Sequence, residues 1–439
     1  MNYLQFISHS KGLSKLPYRF LLILKRFGFT DKRLKKFISQ LENLFRPYAV
    51  RPTIFITAKI LEKRPHILDW FKGMGCDTAI HGYTHINYNE LNAEEQSDHM
   101  EKAKHLISNG KPQSIGFRAP YLSRNSNTLS AMKSNNLSWS SHQPVIWDCF
   151  KSPNFQKSEI EDNQRVLTTL YNPKLANKFP VVPYFTDGFL EMPVSLPDDE
   201  ILIDRFHILN ADKLFEIWNN ILLQTHERGD LFTLLLHPER AAIYKLAIRR
   251  LIEQTIAKKQ SIWRASMKEI ADWWKERASF GIHVVKVNSN QYRINASCSD
   301  RVALLMRNGK SSPNSYCMAR SNEFNIIKER DFVIETKTKP IIGISSTTSP
   351  RLQEFLKNEG FPFEIAQEGE QYAFRIKKGD DFTESQYRHL LNEIDKSQAP
   401  LIKIWRWPNE YKSAFSLTFD LDAITLQDFV SRALQFQTR

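Results

Sequence analysis

No apolar run in this sequence approaches the ~20 residues that a bilayer-spanning helix needs, so no membrane span is expected. Its four cysteines, Cys76, Cys149, Cys298 and Cys317, are scattered and lack CxxC spacing. They read as reduced thiols, and nothing favours an oxidising compartment. Internal repeats and low-complexity tracts are also missing. The first 29 residues hold only one short apolar run, 20–24, between Arg19 and Lys25, with no small-residue cleavage site after it. No export signal is therefore expected, and the expected location is cytoplasmic. Acidic charge is in deficit as well, with 48 Asp and Glu against 61 Lys and Arg, a net charge of +13. A polyanion partner is one meaning of that excess, and peripheral membrane contact is compatible with it. The basic residues are spread out, however, in short clusters such as Lys32-Arg33-Leu34-Lys35-Lys36. A solvated basic surface is the simpler reading, and nucleic acid is not an expected partner.

What is present is an ordinary globular composition, 41% hydrophobic and 25% charged over 439 residues. That length suits one large domain or two ordinary ones. Leu34, Phe37, Ile38, Leu41 and Leu44 recur at helical spacing over 30–46. The β-rich run 51–57 predicts a buried strand, followed by a helix over 60–73 and a short strand up to Ile80. Helices are predicted over 91–109, with Asn92 as a possible N-cap, and over 126–135. Further strands fall near 114–117, 138–147, 189–195 and 231–236, and further helices over 211–226, 239–257 and 267–277. Strands alternating with helices predict a mostly parallel α/β sheet or barrel. After Arg277 the texture changes to short alternating strands, 282–287, 291–296, 302–307 and 331–336. Polar stretches such as 308–314 separate them, and short helices follow over 350–358 and 384–395. A strand returns at 414–419, and a helix-like piece, 425–436, ends the chain.

His81-Gly-Tyr-Thr-His85 places two imidazoles four residues apart after a strand. On a helical turn that spacing shares a face, which suits two nitrogens on one divalent metal. Two histidines are an incomplete site, and a third ligand must come from elsewhere. Asp420 and Asp422 follow a hydrophobic strand, and alternation puts both carboxylates on one side. One could bind metal and the other act as base, or both could simply cap the helix that follows. Arg118 ends a strand and could orient a carboxylate through its fork or make a surface ion pair. His237 ends the strand 231–236 and could donate a proton or be a structural histidine.

Together, Thr418-Phe-Asp-Leu-Asp422, His81-Gly-Tyr-Thr-His85, Arg118-Ala-Pro-Tyr121 and Leu235-Leu-His237 resemble the motifs of the polysaccharide deacetylase family, with NodB homology, carbohydrate esterase family four. The strand Pro52-Thr-Ile-Phe-Ile56 resembles the family too, and the run Pro193-Val-Ser-Leu-Pro-Asp-Asp-Glu200 resembles one of its subgroups. In that family the aspartate motif lies on the first strand, whereas here it comes last. The resemblance therefore implies a distorted (β/α)7 barrel, circularly permuted, with a small inserted α+β module. The expected parts are 1–280 for most of the barrel, 281–403 for the module and 404–439 for the strand and helix that complete the barrel.

The resemblance further implies that Asp422, His81 and His85 bind a divalent metal, with zinc the first expectation. Asp420 is then the base, held by Arg118. A backbone N–H near Tyr121 stabilises the oxyanion, and His237 protonates the leaving amine. The substrate implied is an N-acetylated polysaccharide or glycan precursor. Trp139-Ser-Ser-His-Gln143 carries Ser140 where related sequences often have a carboxylate, so the partner of His237 is open among Asp148, Asp198 and Asp199. Asp198-Asp199-Glu200 could also be a loop or a helix start. Trp139, Trp147 and Tyr121 are candidates for stacking on sugar rings. Trp273, Trp274, Trp405 and Trp407 are expected to pack the barrel against the module. Two rival readings stand beside this one: a metal amidohydrolase of the same fold acting on a non-sugar amide, and a non-catalytic protein binding glycan or another polyanion.

Overall fold

Thr53-Ile-Phe-Ile56 is entirely β-branched or aromatic, and it forms a strand, β1 (Thr53–Ile56), buried along its whole length. The structure is a computed structural model describing residues 23–24, 26–108, 115–149, 167–168, 171–257, 261–312, 316–321, 324–377 and 383–435. The apolar run 20–24 falls largely outside these residues, as do 313–314 of the polar stretch 308–314 and Phe436 at the end of the last expected helix. Among the described residues no helix is long and apolar enough to cross a membrane. Cys76, Cys149 and Cys298 are unpaired.

Among the described residues eleven strands join β1: β2 (Asp77–Ile80), β3 (Gly116–Phe117), β4 (Trp139–Ser140), β5 (Pro144–Ile146), β6 (Lys174–Leu175), β7 (Tyr184–Thr186), β8 (Phe189–Glu191), β9 (Val194–Leu196), β10 (Leu231–Leu236), β11 (Ile262–Arg264) and, far later, β12 (Ser413–Leu421). Their order is β6-β5-β9-β10-β12-β1-β2-β3-β4-β8-β7, with β11 beside β12. Every pairing is parallel except the β7–β8 hairpin. The segments 139–146 and 189–196 run side by side, Trp139 opposite Leu190 at one end and Ile146 opposite Leu196 at the other. The circuit β12, β1, β2, β3, 139–146, 189–196, β10 and back to β12 therefore closes on itself. It is a distorted seven-stranded α/β barrel.

The last strand occupies the slot between β1 and β10, with Ile54 opposite Phe419 and Leu236 opposite the same residue. The head of the chain seals it there. Helix α1 (Lys32–Phe45) buries Leu34, Phe37, Ile38, Leu41 and Phe45. Its Phe37 and Phe45 rings meet Phe419 at 5.7 and 6.2 Å. Gly28 bridges Thr425, and Phe27 stacks on Phe429 at 5.1 Å. The cluster 32–36 lies on α1 with every charged side chain exposed, which is the solvated surface expected.

The helix expected over 60–73 is two helices, Lys59–Lys63 and Ile67–Gly73. Pro65 lacks an amide donor and disfavours α geometry at Arg64, so the chain breaks between them. Asn92 caps Ala93–Ser108, accepting from Glu95 N while Glu95 accepts from Asn92 N.

From Gly281 the chain builds two four-stranded antiparallel sheets and one three-stranded parallel sheet, with helices Pro350–Glu359 and Tyr387–Lys396. Lys310–Ser312, expected within a separating polar stretch, is instead a strand paired with Asp331–Glu335. Strand Lys339–Ile344 went unseen because Pro340 and Gly343 break its pattern; a Cβ on Gly343 would come within 2.7 Å of the Tyr372 ring. Arg406 ties this region to the barrel. Its guanidinium is buried between Glu359 and Asp230, and Trp407 donates to Gly229 O at 2.8 Å. Trp273 donates to Arg406 O, and Trp274 packs on Trp407 at 5.2 Å.

Trp139 and Trp147, candidates for sugar stacking, are corrected by the structure: they are 1% and 0% exposed. Trp139 turns into the barrel, whereas Trp147 packs on the helix side, its Nε1 donating to Ser195 Oγ at 3.0 Å and Arg228 of helix Ala211–Arg228 lying 5.4 Å from the centre of its ring. Trp139 lies edge-on to Phe55 and flat against Gly116, where a Cβ would come within 2.2 Å of its ring. Gly116→Ala is therefore expected to destabilise the protein by about 1–3 kcal/mol through overpacking, read as a lowered midpoint in denaturant melts.

Candidate functional site

Parallel strands end together, and the side chains just past those ends converge. The ladder continues beyond β2 and β3, with His81 N donating to Ile56 O and Arg118 N to Ile80 O, each at 2.9 Å. These bonds fix His81 and Arg118 beside the end of β12. Asp420 lies within β12 and Asp422 one residue past it, and their alternation puts both on the same side with Thr418.

His81 and His85 are not on a helix, as their spacing had allowed, but on a turn. Gly82 makes that turn at φ +79°, where a Cβ would lie 2.8 Å from Thr84 O. The two rings stand 5.1 Å apart. His81 Nδ1 donates to Arg118 O at 2.9 Å, because a carbonyl can only accept. In the neutral ring Nε2 therefore carries a lone pair. It points at Asp422 Oδ1, 3.3 Å away, and Asp420 Oδ2 is 3.7 Å away. His85 Nε2 is 3.2 Å from Asp422 Oδ2. Asp422 Oδ1 is buried and makes no hydrogen bond. A lone pair facing a buried carboxylate oxygen repels unless a cation lies between them. This donor set, two imidazoles and a carboxylate, fits a divalent transition metal. Burial lowers the His85 pKa to about 4, which keeps its ring neutral. Burial opposes ionisation of Asp422, but His85 and Arg432 beside it hold its pKa well below the ordinary value.

Arg118 is fully buried and spends its fork on four atoms. Nη1 donates to Asp420 Oδ1 at 2.8 Å and to Thr418 Oγ1 at 3.0 Å. Nε and Nη2 donate to Ser141 O and Ser141 Oγ at 3.2 and 2.9 Å. Its guanidinium also lies 3.9 Å from the centre of the Phe55 ring. Burial lowers its pKa and the Asp420 carboxylate opposes that shift.

Of Asp148, Asp198 and Asp199, only Asp199 meets His237. Its Oδ1 accepts from His237 Nδ1 at 2.7 Å and its Oδ2 from His237 N at 2.8 Å. Burial alone would lower the His237 pKa, but the Asp199 charge overrides it and pushes the value up to about 10. Asp198 instead accepts from Ile201 N at 2.8 Å, at the start of a helical turn over 200–205. Burial and the neighbouring Asp199 push its own pKa up to about 7. Tyr121 sits at φ +60°, a strained conformation for a non-glycine residue, with its ring 4.7 Å from His85.

Two residues escaped the sequence reading. Glu191, fully buried at the end of β8, accepts from Ser140 Oγ, His142 N and Gln143 N at 2.6, 2.6 and 2.9 Å. It supplies a carboxylate beside Ser140 from the neighbouring strand, and fixes the loop that holds Arg118. Burial works against its ionisation, but the His142 ring, the Arg124 charge and the Ser140 hydroxyl bring its pKa down to about 2. Arg432, on the terminal helix Leu426–Gln435, donates to Asp422 Oδ2 at 2.5 Å. Neither belongs to a motif; only the assembled sheet brings them in.

The fold is an α/β barrel whose strand ends gather two imidazoles, two carboxylates and a buried arginine. Residues 29–140 match the family model described as polysaccharide deacetylase, a stretch that holds the His81–His85 and Arg118–Tyr121 motifs but not those at 235–237 and 418–422. A protein of Schizosaccharomyces pombe, described as "Putative polysaccharide deacetylase", is 24% identical over 247 residues, covering 54% of this chain and 71% of the relative. Among solved structures, one from Mycobacterium smegmatis with the same description is 16% identical, covers 54% of this chain and 76% of that one, and has a TM-score of 0.41. An allantoinase is also 16% identical, covers 54% and 72%, and has a TM-score of 0.40.

Proposed function

We propose that this chain is a metal-dependent deacetylase that removes N-acetyl groups from a polysaccharide or glycan precursor. One observation carries the reading: Asp420 and Asp422 of the last strand meet His81, His85 and Arg118 of the first half within hydrogen-bonding reach. The family's aspartate motif ends its first strand, so β12 filling the slot beside β1 supports a circular permutation. Residues 281–403 then act as an insertion ahead of the displaced strand.

Asp422, His81 and His85 would hold the ion, with zinc the best match to their donors and cobalt, nickel or iron as substitutes. Such an ion supplies Lewis acidity, polarising the acetyl carbonyl and lowering the pKa of water to about 7. Asp420 takes the proton of the attacking water, and Arg118 keeps that carboxylate aimed. A backbone N–H at Tyr121 donates to the oxygen that gains charge; one such donor is worth about 2.7–4 kcal/mol. His237, held by Asp199, protonates the nitrogen as the C–N bond breaks, giving acetate and a free amine.

Chelation of the purified protein is expected to abolish acetate release from N-acetylglucosamine oligomers, and metal addition to restore it. His81→Ala should lose both activity and bound metal by elemental analysis. Full activity in a chelated, metal-free sample rules the reading out. Hydrolysis of a ureide with N-acetylglucosamine oligomers left intact favours the amidohydrolase rival instead.

A further inference from the structure

Ten residues past Asp422, on the helix Leu426–Gln435 that follows β12, Arg432 turns back towards the strand end. Its Nη1 donates to Asp422 Oδ2 at 2.5 Å. We propose that Arg432 is a positioning residue of the metal site: it holds one oxygen of Asp422 and leaves the other, Oδ1, as the ligating atom. The inference deepens the metal-dependent reading above and rests on it.

The two oxygens of this carboxylate are not equivalent. Oδ2 takes the charge-assisted bond from Arg432 and faces His85 Nε2 at 3.2 Å. Oδ1 is buried, accepts no hydrogen bond and faces His81 Nε2, 3.3 Å away. Among the described residues, the two imidazoles and Arg432 are the only polar partners of the Asp422 side chain. The lone pair on His81 Nε2 repels the carboxylate, so the force that orients it comes from Arg432. The helix is held firmly enough to apply that force. Phe429 stacks on Phe27 at 5.1 Å, and Asp428 pairs with Arg64 at 3.1 Å. Asp428 also accepts from Thr425 N at 3.0 Å and so caps the first turn. The Arg432 guanidinium lies 5.7 Å from the centre of the Phe429 ring.

Two effects oppose each other here. The charge of Arg432 repels a cation, whereas its hydrogen bond fixes the oxygen that must meet one. The bond wins. It is direct and charge-assisted, while the repulsion acts across the carboxylate from a side chain 21% exposed to water. A group that hydrogen-bonds a metal ligand from behind is typically worth about 10–100-fold in metal affinity.

The test is zinc affinity of the full-length protein, read by competition with a chromophoric chelator, together with the visible spectrum of its cobalt form. Arg432→Met removes the donor and the charge, and is expected to bind zinc about 10–100-fold more weakly. Its cobalt spectrum should differ from the parental one, because a released Oδ2 lets both oxygens chelate and changes the coordination geometry. Arg432→Lys keeps a cationic N–H donor of similar reach and should recover most of the affinity and the parental spectrum. Arg64→Met loosens the same helix by removing the partner of Asp428. It should lower the melting midpoint and leave affinity and spectrum unchanged. Parental affinity and spectrum in folded Arg432→Met overturn the proposal. Tighter zinc binding by that variant overturns it as well, since Arg432 would then act through repulsion alone. An equal loss of affinity in Arg64→Met reduces Arg432 to a helix anchor and also overturns it. A parent that binds no metal sinks this proposal and the metal-dependent reading together. Affinities in the expected order without any acetate release sink the deacetylase reading and leave the role of Arg432 standing.

Discussion

Asp420→Asn is expected to lower kcat for deacetylation by about 10²–10⁴-fold, the usual contribution of a positioned base, with KM little changed. The amide matches the carboxylate in shape but cannot take a proton from water. It also removes the counter-charge of Arg118, which is 0% exposed and 2.8 Å from Asp420 Oδ1. Leaving one member of a buried pair typically costs about 3–5 kcal/mol, so a lower melting midpoint is expected as well. Two readouts separate the chemical effect from the structural one. Metal content should stay at the parental level, because Asp422, His81 and His85 are untouched. Ser141→Ala removes one of Arg118's partners without touching the base, so it should lower the midpoint while keeping most of kcat. If folded Asp420→Asn protein retains parental kcat, Asp420 is only the partner of a structural arginine.

The seven strands of the barrel circuit and the four motifs could be read in the sequence because each is local, whereas the short strands at 174–175, 184–186 and 262–264 carried no such pattern. β10 was predicted over 231–236, the residues it occupies, since a continuous apolar run between turn signals needs no tertiary context. The convergence of Asp422 with His81 was legible only through the family's motif order, because the two positions lie 341 apart in the sequence. The break at Pro65 was visible in principle, as proline forbids a continuous helix there. Glu191 was not. It stands in Phe-Leu-Glu-Met, an ordinary strand end, and acquires its role only when β8 pairs with β4 and brings it to Ser140. Trp139 misled for the opposite reason: its neighbours in sequence suggested a site wall, while the pleat turns it inward against Phe55. Asp199 was one of three carboxylates at loop ends, and choosing it required a 2.7 Å distance that no sequence supplies.

That distance sets the second large effect. With its pKa pushed up to about 10 by Asp199, His237 is protonated throughout the neutral range and ready to act as an acid. Activity should fall as pH rises through that value, since the neutral ring has no proton to give at Nε2. Asp199→Asn removes the charge that overrides burial, so the alkaline limb of kcat/KM should move down by several pH units. His237→Ala removes the acid altogether and should cost about 10²–10⁴-fold in kcat on an N-acetyl substrate. A nitrogen leaving group needs the proton, whereas an O-acetyl ester or an activated anilide does not. The same variant should therefore lose far less on those substrates. The pair also contributes to stability with a definite sign. A histidine whose pKa is raised on folding stabilises the folded state fully below about 6.5, its unfolded value. That contribution is lost as pH climbs through about 10. Thermal melts should show a larger gap between parent and Asp199→Asn at pH 6 than at the alkaline end. An unmoved alkaline limb in Asp199→Asn, or equal losses of His237→Ala on amide and ester substrates, would remove His237 from the role of proton donor.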